Sequence, residues 1–228
     1  MVQQAKRLFK AFGLRMRYAL GLKKLPQKSQ PVEVNPRDVV LQLAPEGGVA
    51  IEIGVFKGGY SRKILDVVQP RALHLIDPWQ RSDDPLRANS LYGSNRPDGQ
   101  VEKRYDLVRE KFAEEIQCGR VVIHRAFSDD VHGEFEDGTV DFVYVDGDHS
   151  YEGASNDIRN YWPKLKPGGI MAIDDYEIGG WWRDGVVRAA NEALRFPDAL
   201  LEYKAGLQFV IRKRDLEAEA RPNPQDRS

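Results

Sequence analysis

Residues 49–61 read Val49-Ala50-Ile51-Glu52-Ile53-Gly54-Val55-Phe56-Lys57-Gly58-Gly59-Tyr60-Ser61. An apolar run that meets glycines and then a helical pattern is a buried strand, a tight turn and a helix. The same unit repeats outward. Short apolar runs at about 49–53, 72–76, 120–124, 140–145 and 169–173 alternate with helical patterns at about 59–69, 101–117 and 151–162, the signature of a parallel sheet covered on both faces. The clearest helix is 101–117, where Val101, Tyr105, Val108, Phe112 and Ile116 mark one buried stripe. Another helix is expected at 185–195, and the runs at 200–204 and 207–213 flank Ala205-Gly206 as a hairpin. The expected fold is α/β: a doubly wound, mostly parallel seven-stranded sheet with a C-terminal antiparallel hairpin and an extra N-terminal helix.

That extra helix is expected within residues 6–20, where Leu8, Phe12, Met16 and Ala19 keep a helical period that Gly13 weakens. Its stripe suits packing on its own domain or a homodimer contact; its basic face suits an anionic surface. Lys6, Arg7, Lys10, Arg15, Arg17, Lys23, Lys24 and Lys28 give the first 28 residues eight positive charges and no acid. Pro26, Pro31 and Pro36 then mark a linker. Three regions follow: a basic N-terminal helix and linker over 1–36, one domain over 37–214 and a flexible tail over 215–228. Residues 81–100 are polar, rich in turn formers and without period, which reads as a lid or a surface insertion.

The 228 residues carry 34 Lys+Arg against 35 Asp+Glu, a net charge of -1, so no nucleic-acid partner is expected. No run approaches a membrane span and the N-terminus lacks a secretory apolar stretch, so the expected location is cytoplasmic. Cys118 is the only cysteine, which excludes an intramolecular disulfide and a thiolate-rich zinc site.

The glycines of the first unit let the backbone approach a ligand at a helix N-terminus, and Asp77, after the second strand, stands where an acid accepts from ribose hydroxyls. The spacing is not the G-x-G-x-x-G of a dinucleotide loop. Glu52-x-Gly54-x-x-x-Gly58 instead resembles the first motif of class I S-adenosylmethionine-dependent methyltransferases.

Farther along, Val140–Val145 runs into Asp146-Gly147-Asp148-His149-Ser150-Tyr151, and Gly169–Ile173 runs into Asp174-Asp175. If the two strands are neighbours, Asp146, Asp174 and Asp175 converge at the sheet's carboxyl edge as hard oxygen donors for Mg2+ or another divalent cation. His149 beside them is a candidate proton acceptor. Asp148 or Ser150 is expected to cap the following helix, and a cap is the preferred reading of Asp148. His74, His124 and His132 have no such company and read as structural.

Together with Leu165-Lys166-Pro167-Gly168-Gly169, these runs resemble the metal-dependent class I methyltransferases of the macrocin O-methyltransferase group, over about residues 49–190. The resemblance implies a Rossmann-like fold and methyl transfer from S-adenosylmethionine to a hydroxyl of a sugar or glycoside on a small molecule or oligosaccharide. It implies Asp146, Asp174 and Asp175 as metal ligands and Glu52, Gly54, Gly58, Ser61, Asp77 and Ser128 at the methyl donor. Both His149 and Asp146 stand as candidates for the catalytic base. Trp181 and Trp182 offer flat faces to an acceptor or pack a loop, and Tyr92 and Trp79 are candidates to line the same pocket. Three alternatives stay open: a catechol O-methyltransferase, an NAD-dependent dehydrogenase and a non-catalytic nucleoside-binding module.

Overall fold

The structure is a computed structural model that describes residues 34–220 apart from 86, 87, 89, 96 and 98. The expected basic helix at 6–20 and most of the linker lie outside the described residues. The described residues from Asn35 onward form one compact unit.

Seven strands form one sheet: β1 (Val49–Ile53), β2 (Ala72–Ile76), β3 (Val121–His124), β4 (Val140–Val145), β5 (Leu165–Ile173), β6 (Ala199–Ala205) and β7 (Gln208–Lys213). Their order is β3-β2-β1-β4-β5-β7-β6, with β7 antiparallel to both β5 and β6. The described helices are α1 (Pro36–Leu43), α2 (Gly59–Val67), α3 (Gln100–Lys111), α4 (Ala113–Gln117), α5 (Ser128–Val131), α6 (Tyr151–Tyr161), α7 (Gly185–Ala193) and α8 (Leu216–Glu219), with a 3-10 turn at His132–Glu134. None of them is long and apolar enough to cross a membrane.

The central strands are mostly apolar on both faces because alternate residues feed two cores. Ile51, Ile53, Val143, Val145, Met171 and Ile173 enter one core with Ala154 and Ile158 of α6 and Ala189 of α7. Ala50, Phe142, Tyr144, Ile170 and Ala172 enter the other with Val40 of α1, Ile64 of α2 and Val108. Glu52 pairs in register with Tyr144, so alternation turns it to the α1–α2 face, where it is almost fully buried.

Three elements differ from the sequence expectation. Residues 101–117 form two helices, because Phe112 leaves helical geometry at φ -115° and ψ 21°. The expected turn Lys166-Pro167-Gly168 lies inside β5 at a register shift between Val140 and Phe142, with Gly168 at φ +85°. The extra residues are absorbed as a bulge, where Pro and Gly are tolerated. Pro36 is not linker but the first residue of α1, whose cap Asn35 accepts from the Arg37 amide at 3.0 Å.

His74 and His124 face each other at 3.0 Å on neighbouring strands against Phe135, a packed pair as the structural reading requires.

Candidate active site

The sheet order reverses between β1 and β4, and ligands of such sheets bind at the carboxyl ends beside that point. Register aligns the ends. Ile53 pairs with both Ile76 and Val145, and Val145 pairs with Ile173. The residues that follow, Gly54, Asp77, Asp146 and Asp174, therefore form one row along the edge.

Gly54 holds φ +87°, and a Cβ there would stand 1.9 Å from the Asp146 carbonyl oxygen. Only glycine lets the turn cross the end of β4 this closely. Gly58 caps α2 at φ +66°, with the Phe112 ring filling the space where a side chain would sit. Ser61 donates to Glu52 in the buried α2–β1 contact. Burial pushes the Glu52 carboxyl up to about 8, so it is protonated at neutral pH.

Asp77 is 1% exposed and organises the glycine turn. Its Oδ2 accepts from the Val55 and Phe56 amides at 3.0 Å each and from the Tyr92 hydroxyl at 2.8 Å, while Oδ1 accepts from the Trp79 amide at 2.7 Å. Trp79 is itself buried, its indole donating to the Phe56 carbonyl, so it belongs to the core rather than to a pocket wall. Ser128, at the start of α5, donates to Asp157 of α6 at 2.5 Å, and burial pushes that carboxyl up to about 7.

The acids after β4 and β5 meet an arginine that the sequence reading did not single out. Arg37 Nη2 lies 2.7 Å from Asp146 Oδ2 and 2.5 Å from Asp174 Oδ2, and its Nε donates to the Tyr144 hydroxyl at 2.8 Å. The guanidinium sits over the Tyr60 ring at 4.7 Å. Tyr144 donates on to Gln208, whose amide donates to Asp174, closing a ring of contacts.

Asp174 is thus committed to Arg37 and Gln208. The ligand atoms that approach one another are those of Asp146, His149 and Asp175, all within 4.8 Å. His149 Nδ1 is 3.3 Å from Asp175 Oδ2, and its Nε2 is 3.4 Å from Asp146 Oδ1 with no well-formed hydrogen bond. Asp175 reaches this position at φ +53°, a left-handed conformation that aspartate tolerates better than most residues. Of the three expected metal-binding acids, Asp146 and Asp175 come together with His149 as oxygen and nitrogen donors, whereas Asp174 lies with the Arg37 guanidinium, which also pairs with Asp146 Oδ2.

Burial works against a charged His149, but Asp146, Asp175 and Asp174 outweigh it and raise its pKa above the usual value. Burial raises both Asp146, to about 6, and Asp175. Trp181 stacks on the imidazole at 6.4 Å and Trp182 meets it edge-on at 5.1 Å. The cap of α6 is Ser150, which accepts from the Gly153 amide, while Asp148 accepts from the Ser150 amide just before the helix. Of the two expected caps, Ser150 takes the role, and Asp148, preferred for it, sits two positions too early to reach the first turn.

The buried Glu52 carries a test of its own. The folded protein holds this proton up to about pH 8, whereas the ordinary carboxyl value is 4.5. Folding takes up a proton across that window, so stability falls as pH rises through it. Glu52→Gln removes the titration. Urea denaturation should show the variant gaining about 3–4 kcal/mol on the parent between pH 5 and pH 8; parallel pH curves would show that Glu52 is charged in the folded state.

The chain matches a family model described as "Methyltransferase domain" over residues 51–176. Two curated relatives are each 26% identical. One, an uncharacterised protein of Sinorhizobium fredii, aligns over 141 residues, 60% of this chain and 13% of that protein. The other, an uncharacterised protein of Acanthamoeba polyphaga mimivirus, aligns over 137 residues, 58% of this chain and 52% of its own. The chain spans about half or less of the length of these relatives. Among solved structures, a Corynebacterium glutamicum protein superposes with a TM-score of 0.55 at 17% identity, covering 90% of this chain and 97% of its own. A Geobacter sulfurreducens methyltransferase gives 0.53 at 14%, covering 87% and 96%. The 1,6-didemethyltoxoflavin-N1-methyltransferase of Burkholderia thailandensis, solved with S-adenosylhomocysteine, gives 0.51 at 14%, covering 93% and 90%. At such identities the likeness is one of fold. The family match is different in kind: it runs from β1 through the glycine turn to the acids after β5, more than half of the 228 residues, and the chain accordingly belongs to this family of methyltransferase domains.

Proposed function

We propose that the chain transfers a methyl group from S-adenosylmethionine to a hydroxyl of a sugar or glycoside. The observation that carries this reading is His149, held between Asp146 and Asp175 at the sheet edge beside the glycine turn. The acceptor oxygen attacks the methyl carbon in line with the breaking carbon–sulfur bond, leaving S-adenosylhomocysteine. The hydroxyl proton passes to His149 Nε2, a buried atom beside Asp146 that lacks a well-formed hydrogen bond, so the acceptor must enter against the ring to reach it. Asp175, facing Nδ1, orients the ring and stabilises the imidazolium. Positioning dominates, because the sulfonium is already an activated donor.

Asp146 and Asp175 suit Mg2+, which is commonly held by one or two carboxylates with water. When bound, such an ion stabilises the alkoxide form of the acceptor. Trp181 and Trp182 beside His149 offer apolar faces to a sugar ring, and the same faces suit a catechol.

The test is transfer of label from methyl-labelled S-adenosylmethionine to panels of sugars, glycosides and catechols, with Mg2+ and with a chelator. Labelled sugar or glycoside, reduced by the chelator, is expected. Label on catechols alone would overturn the acceptor class, activity untouched by the chelator would overturn the ion, and failure to bind S-adenosylhomocysteine would overturn the donor.

A further inference from the structure

The residue expected to accept from ribose has no room for two more donors. Asp77 Oδ2 already takes three hydrogen bonds and Oδ1 takes one. A carboxylate offers about four lone-pair sites. Three of the present donors are backbone amides, of Val55, Phe56 and Trp79 at the ends of β1 and β2, and cannot leave without unmaking the glycine turn. The fourth is the hydroxyl of Tyr92, on a side chain.

Tyr92 is placed there by specific contacts. Its ring meets Phe56 edge-on at 6.5 Å, and the buried Arg104 guanidinium lies over both rings, 4.5 Å from Phe56 and 5.2 Å from Tyr92. Arg104 also donates to the Leu91 carbonyl at 2.7 Å, and the Ser82 amide donates to the Tyr92 carbonyl at 2.9 Å. The hydroxyl is thereby delivered to a carboxylate 15 positions away.

We propose that the Tyr92 hydroxyl occupies the place of a ribose hydroxyl on Asp77, so that Tyr92 and the nucleoside of the methyl donor compete for one carboxylate oxygen. This deepens the proposed function and rests on S-adenosylmethionine as the methyl donor and on the sequence expectation that Asp77 accepts from its ribose. Tyr92 is then a residue that sets nucleoside affinity: part of what the diol gains from Asp77 offsets the hydrogen bond it displaces. It also links nucleoside entry to Ser82 and Arg104, the residues that hold Tyr92 in place.

The experiment compares displacement of S-adenosylhomocysteine by adenosine and by 2′,3′-dideoxyadenosine in the full chain and in Tyr92→Phe. The phenylalanine ring keeps the contacts with Phe56 and Arg104 and removes only the competing hydroxyl. In the parent the diol is worth little, and the two nucleosides differ by a few-fold. In Tyr92→Phe adenosine should bind about tenfold tighter while dideoxyadenosine is unchanged, the ratio widening by the value of one hydrogen bond to a charged group. A ratio unchanged between the two proteins overturns the competition, as does a weaker binding of adenosine to the variant, which would make the tyrosine a partner of the ribose. If S-adenosylhomocysteine binds neither protein, the methyl-donor reading itself fails, and this inference with it.

Discussion

His149→Ala lowers kcat by about a hundred- to ten-thousand-fold, the usual worth of a positioned general base, and changes KM for the acceptor little. The expectation follows from placement. His149 stands between two carboxylates, its Nδ1 toward Asp175 and its Nε2 toward Asp146. That arrangement fixes the ring and favours the imidazolium, so a proton taken from the acceptor is stabilised as it arrives. The raised pKa gives the pH profile its direction: kcat in the parent rises with pH through a value above the ordinary 6.5 of histidine, and the rise disappears in the variant. Asp175→Asn tests the orienting role separately. It keeps the volume, removes one charge facing Nδ1 and moves the profile to lower pH, which a purely structural role for Asp175 would not do. Binding of S-adenosylhomocysteine is the control and stays within a few-fold in both variants. A His149→Ala protein that retains parental kcat and profile would remove His149 from the chemistry and leave Asp146, held at about 6 by burial, as the base to test next.

Much of this site was legible in the sequence because it hangs on strand ends. The limits of β1, β2 and β4 follow from apolar runs bounded by Gly54, Asp77 and Asp146, and a parallel sheet must bring those ends together. What escaped were contacts whose partners lie far apart along the chain. Arg37 is 109 positions from Asp146, on a helix whose start signals, cap Asn35 and first-turn Pro36, merge with the prolines before them into what reads as a linker. Phe112 continues the apolar stripe of α3, so nothing in the period announces that the helix breaks there, at the residue whose ring packs against Gly58. Pro167-Gly168 reads as a turn because local sequence does not distinguish a turn from a bulge inside a paired strand. The three acids were correctly placed at one edge, yet their mutual arrangement depends on which cation stands among them, and that is set by α1.

Arg37→Ala should destabilise the domain by about 3 kcal/mol, measured by urea denaturation, because it strips the counter-charge from a carboxylate that has nowhere to go. Asp174 is 5% exposed, and the partners the structure gives it are Arg37 and Gln208. Removal of one member of a buried pair costs about 3–5 kcal/mol in general. The lower end applies here, since the Arg37 side chain is 37% exposed and water can take part of the freed space. Loss of stacking on Tyr60 and of the bond to Tyr144 adds to the effect without setting its scale. Arg37→Lys should recover about a third of the loss at most, because an ammonium restores charge but not the fork that spans Asp146, Asp174 and Tyr144 at once. The double variant Arg37→Ala with Asp174→Asn separates charge from packing. With the lone carboxylate gone, most of the penalty should disappear, and an Arg37→Ala cost that persists undiminished beside Asp174→Asn would show that Arg37 stabilises the fold through its aromatic and tyrosine contacts. The same variant bears on the ion: Arg37→Ala removes the guanidinium that pairs with Asp146 Oδ2 beside the Asp146–His149–Asp175 cluster, so divalent binding by Arg37→Ala, read by calorimetry, should be tighter than by the parent.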